Sequence, residues 1–88
     1  NDLIKAKRPG YLLKRREDVK RLRTLLLEKN WTEIQMIGHQ LKGNGATFGF
    51  IEIGEIGSAL EEAAENRTED KILPLIEKLQ SVLENAKA

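Results

Sequence analysis

The 88-residue sequence contains one histidine and no cysteine, which bounds its chemistry at once. Disulfides, thiolate metal sites, multi-histidine metal sites and Cys-His nucleophilic sets are excluded. What remains is His39. A neutral imidazole offers a nucleophilic nitrogen lone pair near pH 7. Lys42 follows three residues later, with Gly43 beside it, and residues 34–51 contain neither Asp nor Glu. Lys42 is the only charge in that stretch. An imidazole near one cation, with acids kept away, suits a nucleophile that must carry a dianion such as a phosphoryl group. The ammonium neutralises the phosphoryl oxygens, whereas carboxylates would repel them. Gly43 costs about 1 kcal/mol of helix propensity and leaves no side chain in the way of an approaching partner.

These residues act together only if one helix carries them on one face. Ile34, Ile37, Gly38, Leu41, Gly45 and Phe48 recur at helical offsets and form the inward stripe. At about 100° per residue, His39 falls about 140° away from that stripe. Gln35, Met36, Gly43 and Ala46 surround it, and Lys42 lies on the flank. The imidazole therefore points to solvent from mid-helix. Thr32 and Gln35 form a candidate capping box at the start of this helix, with Trp31 placed to staple onto Met36. Asn30 suits either the close of the preceding helix or the cap of this one. Gly49 supplies the stop.

Three further segments show the same periodicity. Leu12, Val19, Leu22 and Leu26 make a stripe between Tyr11 and Lys29, with Leu25 beside it. Ile53, Ile56, Gly57, Leu60, Ala63 and Ala64 make a third. Ile72, Leu75, Ile76, Leu79, Val82 and Leu83 make a fourth, beginning at Thr68 or Asp70. Pro74 would lie beyond the first turn of that last helix, which predicts a kink or a later start. Arg8-Pro9-Gly10 reads as a break, separating a leader at 1–10 from a domain at 11–88. No strand-like alternation competes, so the expected fold is all-α, an antiparallel up-and-down four-helix bundle. The sequence begins at Asn1 rather than Met and reads as a fragment or processed chain.

The net charge of +1 conceals an asymmetry. Residues 1–30 hold ten Lys/Arg against four Asp/Glu, and residues 31–88 hold five against ten. The basic end is a candidate surface for nucleic acid or an acidic partner, although Tyr11 is its only aromatic residue and no series of aromatics punctuates it to stack bases. Glu61, Glu62 and Glu65 read as a solvated helix face. Gly43-Asn44-Gly45 lies within a helical pattern and is followed by Ala46-Thr47, so it is not a phosphate loop, and no ATP site is found. No apolar run approaches the ~18 residues of a membrane span, and no signal peptide is seen.

The run His39-Gln40-Leu41-Lys42-Gly43-Asn44-Gly45-Ala46-Thr47-Phe48-Gly49-Phe50 resembles the signature of histidine phosphotransfer (HPt) domains, in which His-x-Leu-Lys-Gly is followed by small residues and a Gly. Ile53…Ile56-Gly57…Leu60-Glu61…Ala63-Ala64 and Arg15-Arg16-Glu17-Asp18 are similar to one branch of that family, and the likeness extends over about residues 11–66. That family usually carries Ser or Thr where this chain has Asn44. The resemblance implies a cytoplasmic, monomeric phosphocarrier rather than an enzyme. It makes His39 the phosphoryl acceptor, Lys42 its charge partner and Gly43 the point of steric access. Receiver domains of response regulators, or a hybrid sensor kinase, would be its partners. They would supply Mg²⁺, with no cofactor intrinsic to this chain. Gln35, Met36, Gln40, Gly43, Ala46 and Thr47 would form the docking face. The other reading open to the sequence is a helical interaction module that uses its basic first helix on nucleic acid or an acidic protein.

Overall fold

The structure, a computed structural model, describes residues 2–86. Four helices follow one another: α1 (Asp2–Leu27), α2 (Trp31–Thr47), α3 (Ile51–Glu65) and α4 (Glu69–Asn85). Each packs against its two neighbours in a ring, α1 on α2, α2 on α3, α3 on α4 and α4 back on α1. Cross-helix contacts fix the directions. Tyr11 meets Asn44 while Arg21 meets Glu33, and Arg16 meets the Leu83 carbonyl while Arg23 meets Gln80. As α1 advances, both of its partners recede, which is the antiparallel up-and-down arrangement.

The core is the apolar stripes folded inward. Leu22, Ile34, Leu41, Ile53, Leu60, Ile72, Ile76 and Leu79 are all completely buried, and no charged or polar residue joins them among the described residues. On α1, Leu25 is buried and Leu26 only partly so, a small rotation of the expected stripe. Among the described residues no helix is long and apolar enough to cross a membrane.

Three local expectations are corrected. First, the break at Arg8-Pro9-Gly10 is absent: α1 runs without interruption from Asp2, so most of the expected leader is helix. Pro9 and Gly10 face solvent, where the proline ring meets no neighbouring helix. Arg8 ties this end down, donating from Nε to the Phe48 carbonyl (3.0 Å) while its guanidinium lies 5.4 Å from the Phe50 ring centroid. Second, the cap of α2 is Asn30, whose side-chain oxygen accepts from the Glu33 amide at 3.2 Å. Lys29, at φ 56°, makes the left-handed turn before it. With Asn30 as the cap, Trp31 is already helical and packs toward the core, so neither the Thr32–Gln35 box nor the staple onto Met36 forms the entry. Third, α4 starts at Glu69 after Thr68 and continues through Pro74, so the later start does not occur. Pro74 is exposed and forgoes one backbone bond, while Ile72 and Ile76 on either side of it are buried.

At 26 residues α1 is far longer than the 15 to 17 of its partners. Its first turns overhang the end of the bundle where α2 passes into α3. Tyr11 closes that end, stacked on Phe48 at 4.4 Å and on Phe50 at 5.6 Å between ring centroids. The hydroxyl of Tyr11 donates to the Asn44 side-chain oxygen at 2.6 Å. Burial pushes the Tyr11 hydroxyl above its ordinary range, which keeps that donor protonated.

Candidate functional site

Position in α2 follows from its two faces. Ile34, Ile37, Gly38, Leu41 and Gly45 are buried, so His39 and Lys42 are carried outward. The His39 side chain is 72% exposed. Lys42 is exposed on the next turn and makes no ion pair among the described residues. Gly43 is exposed too, and a Cβ built on it would meet nothing within 4 Å. Met36, Gln40, Ala46 and Thr47 share the exposed surface, with Gln35 half-buried at its edge. Thr47 turns its hydroxyl back onto the Gly43 carbonyl at 3.1 Å. Asn44 faces α1 rather than the imidazole, and its side-chain oxygen is taken by Tyr11.

Glu61 on α3 changes the electrostatic picture. Its Oε2 lies 2.8 Å from His39 Nδ1, and its side chain is 24% exposed. By residue order alone Glu61 belongs to a solvated run, and no carboxylate stands near the imidazole. That exclusion holds along α2, where no acid follows Glu33, but α3 delivers one from the side. Glu62 and Glu65 are exposed, as expected.

What brings Glu61 within reach is a seam of glycines. A Cβ on Gly38 would sit 2.6 Å from the Glu61 amide nitrogen and 2.8 Å from the Gly57 carbonyl oxygen. One on Gly57 would sit 2.5 Å from the Lys42 nitrogen, and one on Gly45 2.5 Å from the Gly54 nitrogen. The backbones of α2 and α3 therefore touch, closer than side-chain-mediated packing permits. Glu61 stands one turn after Gly57, and His39 stands next to Gly38. Pairing the glycines of two antiparallel helices is the sequence signal that would have found this contact.

The arrangement has a definite chemical capacity. A carboxylate on Nδ1 favours the tautomer with its proton on Nδ1, which leaves the lone pair on Nε2. The nucleophilic nitrogen is then the one available to solvent. Nearby lie one unpaired ammonium and a bare stretch of helix backbone. No curated protein and no solved structure matches the chain. The family model described as the Hpt domain matches residues 12–88. A match over nearly the whole chain, on a four-helix bundle that presents the one histidine to solvent, makes this chain a member of the Hpt domain family.

Proposed function

We propose that His39 accepts a phosphoryl group at Nε2 from the aspartyl phosphate of a receiver domain, and passes it to another receiver or back. Histidine phosphotransfer in phosphorelays is the role of the family, whose members are phosphocarriers rather than enzymes in the usual sense. The observation that carries the finer reading is the pairing of an exposed imidazole with Glu61 at Nδ1. In the forward step the Nε2 lone pair attacks phosphorus and the N–P bond forms. The P–O bond to the receiver aspartate breaks, and the electron pair leaves with the carboxylate. The ring keeps its Nδ1 proton and becomes cationic, and Glu61 balances that charge. Lys42 neutralises the phosphoryl oxygens, and Gly43 leaves room for the receiver to approach. Gln35, Met36, Gln40, Ala46 and Thr47 complete the docking face around them. The receiver brings the Mg²⁺ and the activated phosphoryl group, so this chain's contribution is position and charge. On this reading the domain works as a monomer in the cytoplasm.

The test is incubation with phosphorylated receiver domains followed by mass spectrometry and an acid-stability assay. The parent protein gains one phosphoryl group that mild acid removes, because phosphohistidine is acid-labile. His39→Gln keeps its melting temperature and gains none. Equal labelling of His39→Gln, or a label that survives acid, refutes the assignment.

A further inference from the structure

Of the seven glycines, only Gly10 and Gly43 would give an added Cβ nothing to meet within 4 Å, and neither has a positive φ. A glycine inside a helix is a cost in stability, so one with no packing or turn requirement calls for another reason. Gly43 has one in the docking face. Gly10 lies on α1, in a shallow groove between α1 and α2 walled by Lys7, Tyr11, Lys14, Asn44 and Phe48. Asn44 and Phe48 are the chain neighbours of Gly43 and Thr47, so the groove is continuous with that face.

The charge in the groove is one-sided. Six of the ten basic residues in the first thirty are engaged within the chain: Arg8, Arg15, Arg16, Lys20, Arg21 and Arg23. Lys7 and Lys14 are exposed and have no partner among the described residues. They lie two helical turns apart, about 10 Å, with Gly10 between them. No carboxylate lines the groove. The next acids along α1 after Lys14 are both engaged: Glu17 lies 3.6 Å from the Lys20 ammonium, and Asp18 is held by Arg15, whose Nε lies 2.8 Å from its Oδ2. On the opposite side of α2, Glu61 gives the face its negative edge.

We infer that Lys7, Gly10 and Lys14 extend the docking face from α2 onto α1, and that this extension receives a segment of the receiver bearing Asp or Glu side chains. The inference rests on the proposed function and names how that partner is oriented. Two free ammonium groups on either side of a bare backbone turn fit a short acidic segment laid across α1. They are too few to hold nucleic acid, whose affinity is built from many phosphate contacts. Charge at the margin of an interface acts mainly on encounter and register.

The experiment measures transfer from a panel of phosphorylated receiver domains to the parent chain and to Lys7→Glu/Lys14→Glu, at low and at 0.5 M salt. Phosphoramidate serves as the small phosphodonor, and melting curves check folding. The variant melts like the parent and is labelled by phosphoramidate at the same rate. Receiver-dependent transfer at low salt falls about tenfold to a hundredfold, and the gap closes at high salt. Lys7→Arg/Lys14→Arg keeps the parental rate. Gly10→Leu leaves the melting temperature the same or higher and slows receiver transfer alone.

Equal receiver transfer by parent and Glu variant overturns the inference while leaving the proposed function intact. A loss that persists at 0.5 M salt, or appears equally with phosphoramidate, also overturns it. Binding of the parent to a duplex DNA oligonucleotide in 0.15 M salt that the Glu variant loses reassigns the groove to nucleic acid. A parent chain that no receiver and no phosphoramidate labels at His39 removes the proposed function, and this inference with it.

Discussion

Between Gly38 and Gly45, whose added Cβ atoms would run into the backbone of α3 at 2.6 and 2.5 Å, lies Gly43, whose added Cβ would meet nothing. The three share one helix and one residue type. On the seam, glycine is absent volume that lets two backbones touch and sets the register between α2 and α3. On the open flank it is absent volume reserved for a molecule that arrives later. The difference teaches that a helical glycine is read from what its missing side chain would strike, since propensity alone scores all three as equal costs.

Gly57→Ala tests the seam with the largest effect. The new methyl group would lie 2.5 Å from the Lys42 nitrogen and 2.7 Å from the Gly38 carbonyl oxygen, backbone atoms that move only if the helices part. A loss of about 2–3 kcal/mol is expected, visible as a fall in melting temperature of about 10–20 °C. Phosphoryl transfer should fall as well, because parting the helices draws Glu61 from His39. A midpoint unchanged from the parent would mean that the seam is slack.

Glu61→Ala comes next. One partly exposed, charge-assisted hydrogen bond is worth about 1.5 kcal/mol, so transfer to His39 should slow about tenfold, and the melting temperature should fall by less than in Gly57→Ala. Glu61→Gln retains an acceptor for the Nδ1 proton but not the charge, and should recover part of the rate. Equal rates in all three proteins would remove Glu61 from the chemistry.

The smallest effect, with opposite sign, belongs to the open flank. Gly43→Ala should raise stability by about 0.5–1 kcal/mol. Gly43→Leu should melt no lower than the parent yet accept phosphoryl groups more slowly from a receiver. A destabilised Gly43→Leu would place Gly43 in the packing after all.

Much of this was legible from residue order because helix periodicity is a local property. All six stripe residues of α3 are buried, and the angle of His39 from the α2 stripe requires no knowledge of any neighbour. What escaped was decided across space. The Pro9-Gly10 punctuation was overruled by Arg8 reaching forty residues ahead to the Phe48 carbonyl. Thr32 and Gln35 have the right spacing for a capping box, but of the entries the sequence offers for α2 the turn at Lys29 selects the other, Asn30 as the cap. Glu61 looked like its exposed neighbours Glu62 and Glu65, since its sequence position says nothing of where α2 passes. Only the register imposed by the paired glycines separates it from them.

A seam of backbone against backbone has no rotamers to choose among. The spacing between the helix that carries the imidazole and the helix that carries the carboxylate is set by peptide planes, which hardly deform at thermal energies. The only soft degrees of freedom left in the pair are the few side-chain torsions of His39 and Glu61, joined by their hydrogen bond. A partner that docks here has little left to freeze, so little conformational entropy is lost when the complex forms. The same construction separates calibration from recognition. Outward residues such as Met36, Gln40 and Lys14 can change to suit a different partner, while the ruler beneath them keeps its length.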